Sequence, residues 1–199
     1  MIGSIAAGFM IAVSALIYLV VGAPLGAFMF AFGLLSILIF QFSLFTGKAG
    51  LLATKEVRFA QLLKIWIGNF IGCAFGAVLV RMTPIGSEVA TKALSIINVR
   101  IGNLWIENIA LGILCGVMMY VGVRGFLTAP YLTILSVAAF ILIGANHCVA
   151  DMAYISLAAN AETLIPALAA LLFTTLGNII GTNIVPLFRI YSGDLNKNN

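Results

Sequence analysis

Charge is what this chain has least of. Of 199 residues, ten are Lys or Arg and six are Asp or Glu, 8% in all, against roughly 25% in a soluble domain. The first 47 residues carry no formal charge, and Lys48 is the first that does. With 63% hydrophobic residues and a mean hydropathy of +1.19, this excludes a soluble globular protein and defines an integral membrane one. The net charge of +4 is spread over loops, so neither nucleic acid nor a polybasic tail is implied. Histidine occurs once. There is no Ser/His/Asp cluster, no second group of metal ligands and no nucleotide loop, so no enzyme, metal or cofactor is expected. The three cysteines, Cys73, Cys115 and Cys148, have no zinc spacing and read as small buried hydrophobes. No charge precedes the first apolar run, which argues against a cleaved leader.

What the chain has instead is apolar tracts. A spanning helix needs about 20 predominantly apolar residues. The tract 2–47 suits two, with the turn "GAPLG" at 22–26 between them. Spans are expected at 3–21, 24–42, 59–80, 104–123, from 129, and at 163–188, with a polar stretch at 81–100. That gives an all-α fold of six spans with both termini on one side. Lys48, Lys55, Arg58, Lys64, Arg124, Arg189 and Lys197 fall on the terminal side, and only Arg81, Lys92 and Arg100 on the other. The positive-inside rule then puts both termini in the cytoplasm of a cell inner (plasma) membrane protein.

Two spans are interrupted. In "FSLFTGKAG" the turn-prone Ser43 and Thr46-Gly47 arrive before the apolar stretch ends, and a short apolar piece follows. Span 5 has about 15 apolar residues, then Gly144-Ala145-Asn146-His147, then a second apolar piece. Non-helical backbone at mid-membrane depth survives only where it is buried in protein or lines a polar cavity. "GNFIG" at 68–72 recurs as "GNIIG" at 177–181, 109 residues later, each time in the span after an interrupted one. "AAGFMIAV" in span 1 has a looser counterpart in "ALGILCGV" of span 4. The chain therefore reads as a single channel domain, 1–199, built of inverted repeats at about 1–80 and 101–188.

Gly68, Gly72 and Gly76 share a helix face and suit tight packing, while Asn69 and Asn178 suit interhelical hydrogen bonds. His147 and Asp151 are harder to assign to packing. An ionisable group in a span costs about 2.5–3.5 kcal/mol on insertion scales and is usually functional. Asp151 suits the first turn of a helix that starts near the break, or a pore-lining or interhelical role. His147 is either a satisfied core histidine or a pore group.

These features resemble the formate/nitrite transporter family, whose members are aquaporin-shaped pentamers with one pore per protomer. The residues that carry the resemblance are "SLFTGKAG", "GNFIG", "IENIALGILCG", "GANHCVADM" and "GNIIG". By that resemblance His147 matches the central pore histidine and Thr46 the threonine facing it, with Asn146 beside them. Leu34 and Leu44, with Phe45 next to them, match the apolar constriction on the cytoplasmic side. Phe30 and Phe140 match the rings of the outer constriction. Arg100 takes the place of a lysine that favours anions at the outer vestibule; 16 positions on, Gly116 stands where the family has an asparagine. The family's Gly-Phe-Glu-His-x-x-Ala-Asn-Met motif has Ala145 for Phe, Asn146 for Glu and Asp151 for the later Asn.

The function so implied is a homopentameric, proton-coupled pore for a small weak-acid anion such as formate, nitrite or hydrosulfide. Arg100 gathers the anion, and half-helix N-termini at Gly47–Lys48 and Val149–Ala150 favour it. Dry constrictions resist a bare charge, and protonation near His147 lets it cross. The lipid bilayer is the surrounding partner. The alternative is an aquaporin-like channel for small neutral solutes. A third reading is a closed-pore sensor or assembly subunit.

Overall fold

In the computed structural model, residues 1–192 are described, and Lys197, counted above for sidedness, lies outside them. The protein is all-helical. Among the described residues, four helices are long and apolar enough to cross a membrane: α1 (Ile2–Val21), α5 (Phe59–Arg81), α7 (Trp105–Gly125) and α10 (Leu164–Tyr191). Between α1 and α5 lie α2 (Leu25–Met29), α3 (Ala31–Ile39) and α4 (Phe45–Ala49). Between α5 and α7 lies α6 (Gly86–Gly102), and between α7 and α10 lie α8 (Tyr131–Leu142) and α9 (Cys148–Ala158).

The polar stretch 81–100 is not a loop but most of α6. Its buried residues Val89, Ala93 and Ile97 recur every four positions, an apolar stripe that lies against α9. Lys92 between them, with Glu88 before and Arg100 after, masks that stripe in the sequence. Glu88 and Lys92 form an exposed ion pair one turn apart (2.9 Å).

α1 packs on α5, and α7 on α10, at backbone contact distance. A Cβ on Gly72 would run into the carbonyl of Ile5, and one on Gly181 into that of Ile113. Gly8 meets the backbone of Asn69, and Gly116 that of Asn178, in the same way. The contacts thus pair Gly8 with Gly116, one turn along from the match of "AAGFMIAV" with "ALGILCGV". Glycine serves here because dispersion between helices, not water exclusion, drives association in lipid.

Each interrupted segment is held by side chains of these long helices. α4 begins at Phe45, whose N–H donates to Asn69 Oδ1 (2.8 Å), while Asn69 Nδ2 donates to Ser4 O (2.7 Å) and Ser43 O (3.0 Å). α9 begins at Cys148, whose N–H donates to Asn178 Oδ1 (2.9 Å), while Asn178 Nδ2 donates to Gly112 O (2.9 Å) and Asn146 O (2.8 Å). Each Asn therefore replaces the helical partners that an unwound backbone lacks. The far ends are held across the molecule. Asn183 of α10 donates to Ala49 O (2.9 Å), and Arg81 of α5 donates to Leu157 O (2.7 Å). All three cysteines are buried and free.

Candidate functional site

The chain leaves α8 at Leu142 and turns at Gly144, where φ is +75°. An L side chain rarely adopts that conformation, so the glycine sets the direction of the break. Ala145 and Asn146 follow, and His147 caps α9. The N–H of Ala150 donates to His147 Nδ1 (3.2 Å). The neutral ring therefore carries its proton on Nε2, and Nε2–H donates to Thr46 Oγ1 (2.9 Å). Phe140 stacks on the imidazole with centroids 5.6 Å apart, and Phe30 meets Phe140 edge-on at 6.4 Å. Thr46 Oγ1 makes no other hydrogen bond among the described residues, so its own hydrogen is free to donate.

This cluster lies between two cavities. One, of about 160 Å³, is lined by Phe30, Arg100, Phe140, His147, Asp151 and Tyr154 among others. The second, of about 340 Å³, is lined by Leu34, Leu44 and Lys48, with Phe42, Val123 and Phe126. They share no lining residue. Phe30 lines one and Leu34 the other, four residues apart in the chain. Leu34 and Leu44 are buried, as are Phe30 and Phe140.

Of the residues singled out in the sequence, His147, Thr46, Phe30 and Phe140 come together, and Leu34 and Leu44 stand on the far side of the septum. Phe45 is buried and lines neither cavity; its N–H is the one that Asn69 holds. Asn146 also lines neither. Its Nδ2 donates to Asn108 Oδ1 (2.9 Å), and Asn108 in turn donates to Arg100 O (2.9 Å) and accepts from Asn103 (3.2 Å). Asn108 is the polar group that the sequence reading missed. It is buried in the first turns of α7, eight residues before Gly116. Gly116 instead faces α10, where a Cβ would lie 2.7 Å from Asn178 O.

Two electrostatic expectations change. Arg100 is not a free cation: its Nε lies 3.5 Å from Asp151 Oδ1. Asp151 is in the first turn of α9 as well as in this interhelical pair. The half-helices also begin one to two residues earlier than expected, at Phe45 and Cys148, and their first N–H groups are bound by Asn69 and Asn178. The third N–H of α9 is bound by the His147 ring. One N–H of the first turn of α4 and two of that of α9 are thereby taken by side chains.

Apolar helices too long for a soluble core, joined by interrupted segments that meet at a histidine between two cavities, define a polytopic helical membrane protein of the transport type. The family model "Formate/nitrite transporter" matches residues 1–191, and the chain belongs to that family. It is 27% identical over 156 residues to the formate channel FocA of Haemophilus influenzae, covering 66% of this chain and 54% of that one. The match thus spans about half the length of that curated relative. Among solved structures, it is similar to a pentameric formate channel with formate bound, with a TM-score of 0.79, 20% identity, and coverage of 98% of this chain and 96% of that one. It is also similar to a structure described as an FNT family ion channel, with a TM-score of 0.78, 23% identity, and coverage of 96% and 88%. These relatives are channels and transporters, and the likeness to the two structures extends over nearly the whole fold.

Proposed function

We propose that the protein is a channel for small monovalent weak-acid anions, with formate the first candidate and nitrite and hydrosulfide next. The observation that carries this is the Thr46–His147 bond set between two cavities in an apolar septum. A bare anion entering that septum loses its water without gaining a counter-charge, which is costly. A protonated acid does not. His147 exchanges protons at Nε2, since Nδ1 is held by a backbone N–H, and Thr46 offers its free hydrogen to the substrate's oxygen. Phe30 and Phe140 narrow one side of the path, and Leu34 and Leu44 the other.

In this reading the chain crosses the membrane six times, as α1, α2–α4, α5, α7, α8–α9 and α10, with α6 outside the count. Residues 1–80 and 101–188 are inverted halves, and the recurrence of the Asn69 bonds at Asn178 supports that. Both termini are cytoplasmic in an inner membrane, so the Lys48 cavity opens inward and the Arg100 cavity outward. The working unit is a homopentamer with one pore per protomer. The rival, a channel for small neutral solutes, draws support from the pairing of Arg100 with Asp151.

Proteoliposomes in a stopped-flow assay test this, with formate, nitrite, hydrosulfide and glycerol compared at about pH 5.5 and 7.5, on either side of the ordinary imidazole range. Formate uptake that rises at the lower pH is expected, and His147→Asn should lower it at least about tenfold. Unchanged pH-dependent uptake in that variant refutes the protonation role. Osmotic water or glycerol flow without acid flux favours the rival.

A further inference from the structure

The two cavities differ in charge. The Arg100 cavity is lined by one cation and one anion, Arg100 and Asp151, and these two are paired. The Lys48 cavity is lined by Lys48 and by no carboxylate. Gln41 is its other polar side chain, and the rest of the lining, with Leu34, Phe42 and Leu44, is apolar. Among the described residues, Lys48 makes no ion pair, and neither Lys48 nor Gln41 has a side-chain hydrogen bond. Lys48 is half-buried and Gln41 exposed. Arg124, next to the lining residue Val123, is exposed and has the same sign as Lys48.

Gln41 is held where glycine is the usual residue. Its N–H donates to Leu38 O (3.3 Å) and that of Phe42 to Ile37 O (2.9 Å), which closes the end of α3. That pair of bonds needs a left-handed residue at the turn, most often Gly, and Gln41 fills it with φ +55°. A side chain kept in such a conformation points to a use for it. The use open to Gln41 is in the cavity that it lines.

An ammonium without a counter-charge in a concave, mostly apolar cavity concentrates anions, because the walls focus its field. A guanidinium paired with a carboxylate does so far less, because the second charge cancels the field at range. A carboxylate also needs donors for its two oxygens, and an ammonium and a primary amide supply them.

We infer that Lys48 and Gln41 form a capture site for a small monocarboxylate anion, and that anions are recruited at this mouth rather than at the Arg100 one. This rests on the proposed conduction path and gives it a direction-dependent entrance. Leu34 and Leu44 line the same cavity, so a captured anion stands at the constriction, ahead of the Thr46–His147 bond where it takes its proton.

The test measures formate flux against formate concentration in proteoliposomes of the full chain at about pH 7.5, where an ordinary carboxylic acid is ionised. Wild type, Lys48→Gln, Lys48→Arg, Gln41→Gly and Lys64→Gln are compared at ionic strengths of about 0.01 and 0.15 M, with screening lengths of about 30 and 8 Å. The wild-type half-saturating concentration should rise about threefold or more with salt. Lys48→Gln should raise it about three- to tenfold at low salt and remove most of the salt effect, and Lys48→Arg should restore both. Gln41→Gly should raise it about twofold or more while melting no lower than wild type, since Gly accepts the left-handed backbone. A Gln41 with only a structural role would not separate those two readouts. Lys64 is an exposed cation of α5 that lines neither cavity, and its replacement by Gln should leave the half-saturating concentration where it is. A Lys48→Gln value equal to wild type overturns the inference, as does an equal shift in Lys64→Gln, which would make the effect one of general surface charge. Should Lys48→Gln fail to assemble, line broadening of 13C-labelled formate by detergent-solubilised wild type decides. It should be present at low salt and weaken as salt is added, and broadening that is absent or indifferent to salt overturns the inference. A wild type that passes no formate refutes the channel reading itself, whereas saturable flux indifferent to Lys48 and Gln41 refutes only the capture site.

Discussion

Asn69 and Asn178 offer the sharpest test of how the interrupted segments stay in place. Asn178→Ala removes three hydrogen bonds and leaves the Cys148 N–H and the Asn146 carbonyl without their partner. Gly112 O keeps its place in α7. Each orphaned buried group costs about 1–3 kcal/mol. Side-chain hydrogen bonds in membranes average only about 0.6 kcal/mol, because the unfolded chain in lipid finds other partners. Three bonds at the lower figure and two orphans at the higher one bracket the loss at roughly 2–6 kcal/mol. Asn69→Ala loses the matching set, from Phe45 N–H, Ser4 O and Ser43 O, and should fall within about 1 kcal/mol of it. The double variant should be additive, since the two residues share no partner. Reversible unfolding in mixed detergent, followed by the fluorescence of Trp66 and Trp105, gives both numbers. A cost under about 1 kcal/mol for either variant, or one variant severe and the other silent, refutes the view that these amides replace the missing helical bonds.

Two further predictions follow from the packing. Thr46→Val keeps the volume but leaves His147 Nε2–H unpaired; a loss of about 1–3 kcal/mol in the same unfolding assay is expected, with formate flux reduced at every pH, and full flux in the valine variant refutes a donor role for Thr46. Gly116→Asn, which restores the family's amide, should fail to assemble rather than gain activity, because its Cβ would lie 2.7 Å from Asn178 O and 2.8 Å from Thr182 N; size-exclusion chromatography of a monodisperse, active Gly116→Asn protein refutes the tight α7–α10 contact.

The long helices are legible because one physical signal, sustained apolarity, writes them. α1, α5, α7 and α10 begin and end within three residues of the tracts expected at 3–21, 59–80, 104–123 and 163–188. The gap between α8 and α9 falls on Gly144–His147, where Gly and Asn interrupt an apolar run, whereas Thr46 and Gly47 lie inside α4 and the chain leaves α3 earlier, at Ile39. α6 is not legible, because its apolar stripe is only three residues long, with Lys92 inside it and Glu88 and Arg100 at its ends. Nor is the use of the polar residues. Asn108 stands in an ordinary span, and nothing local marks it as the partner of Asn146, 38 positions away. The Arg100–Asp151 pair spans 51 positions and exists only because α6 folds back over α9.

The departures from the family motif gain a common cause in this geometry. The motif places a carboxylate directly before the histidine and an amide four residues after it; here the order is Asn146, then Asp151. The number of acids in the motif is unchanged, and only the position of the charge has moved. At 146 the side chain lines neither cavity, and its Nδ2 donates to Asn108. At 151 it lines the cavity and meets Arg100. An acid at the first position would leave the guanidinium free to face the lumen. An acid at the second ties it down. Exchanging an amide and a carboxylate between these two positions therefore keeps the local net charge and moves it from beside Asn108 to beside Arg100.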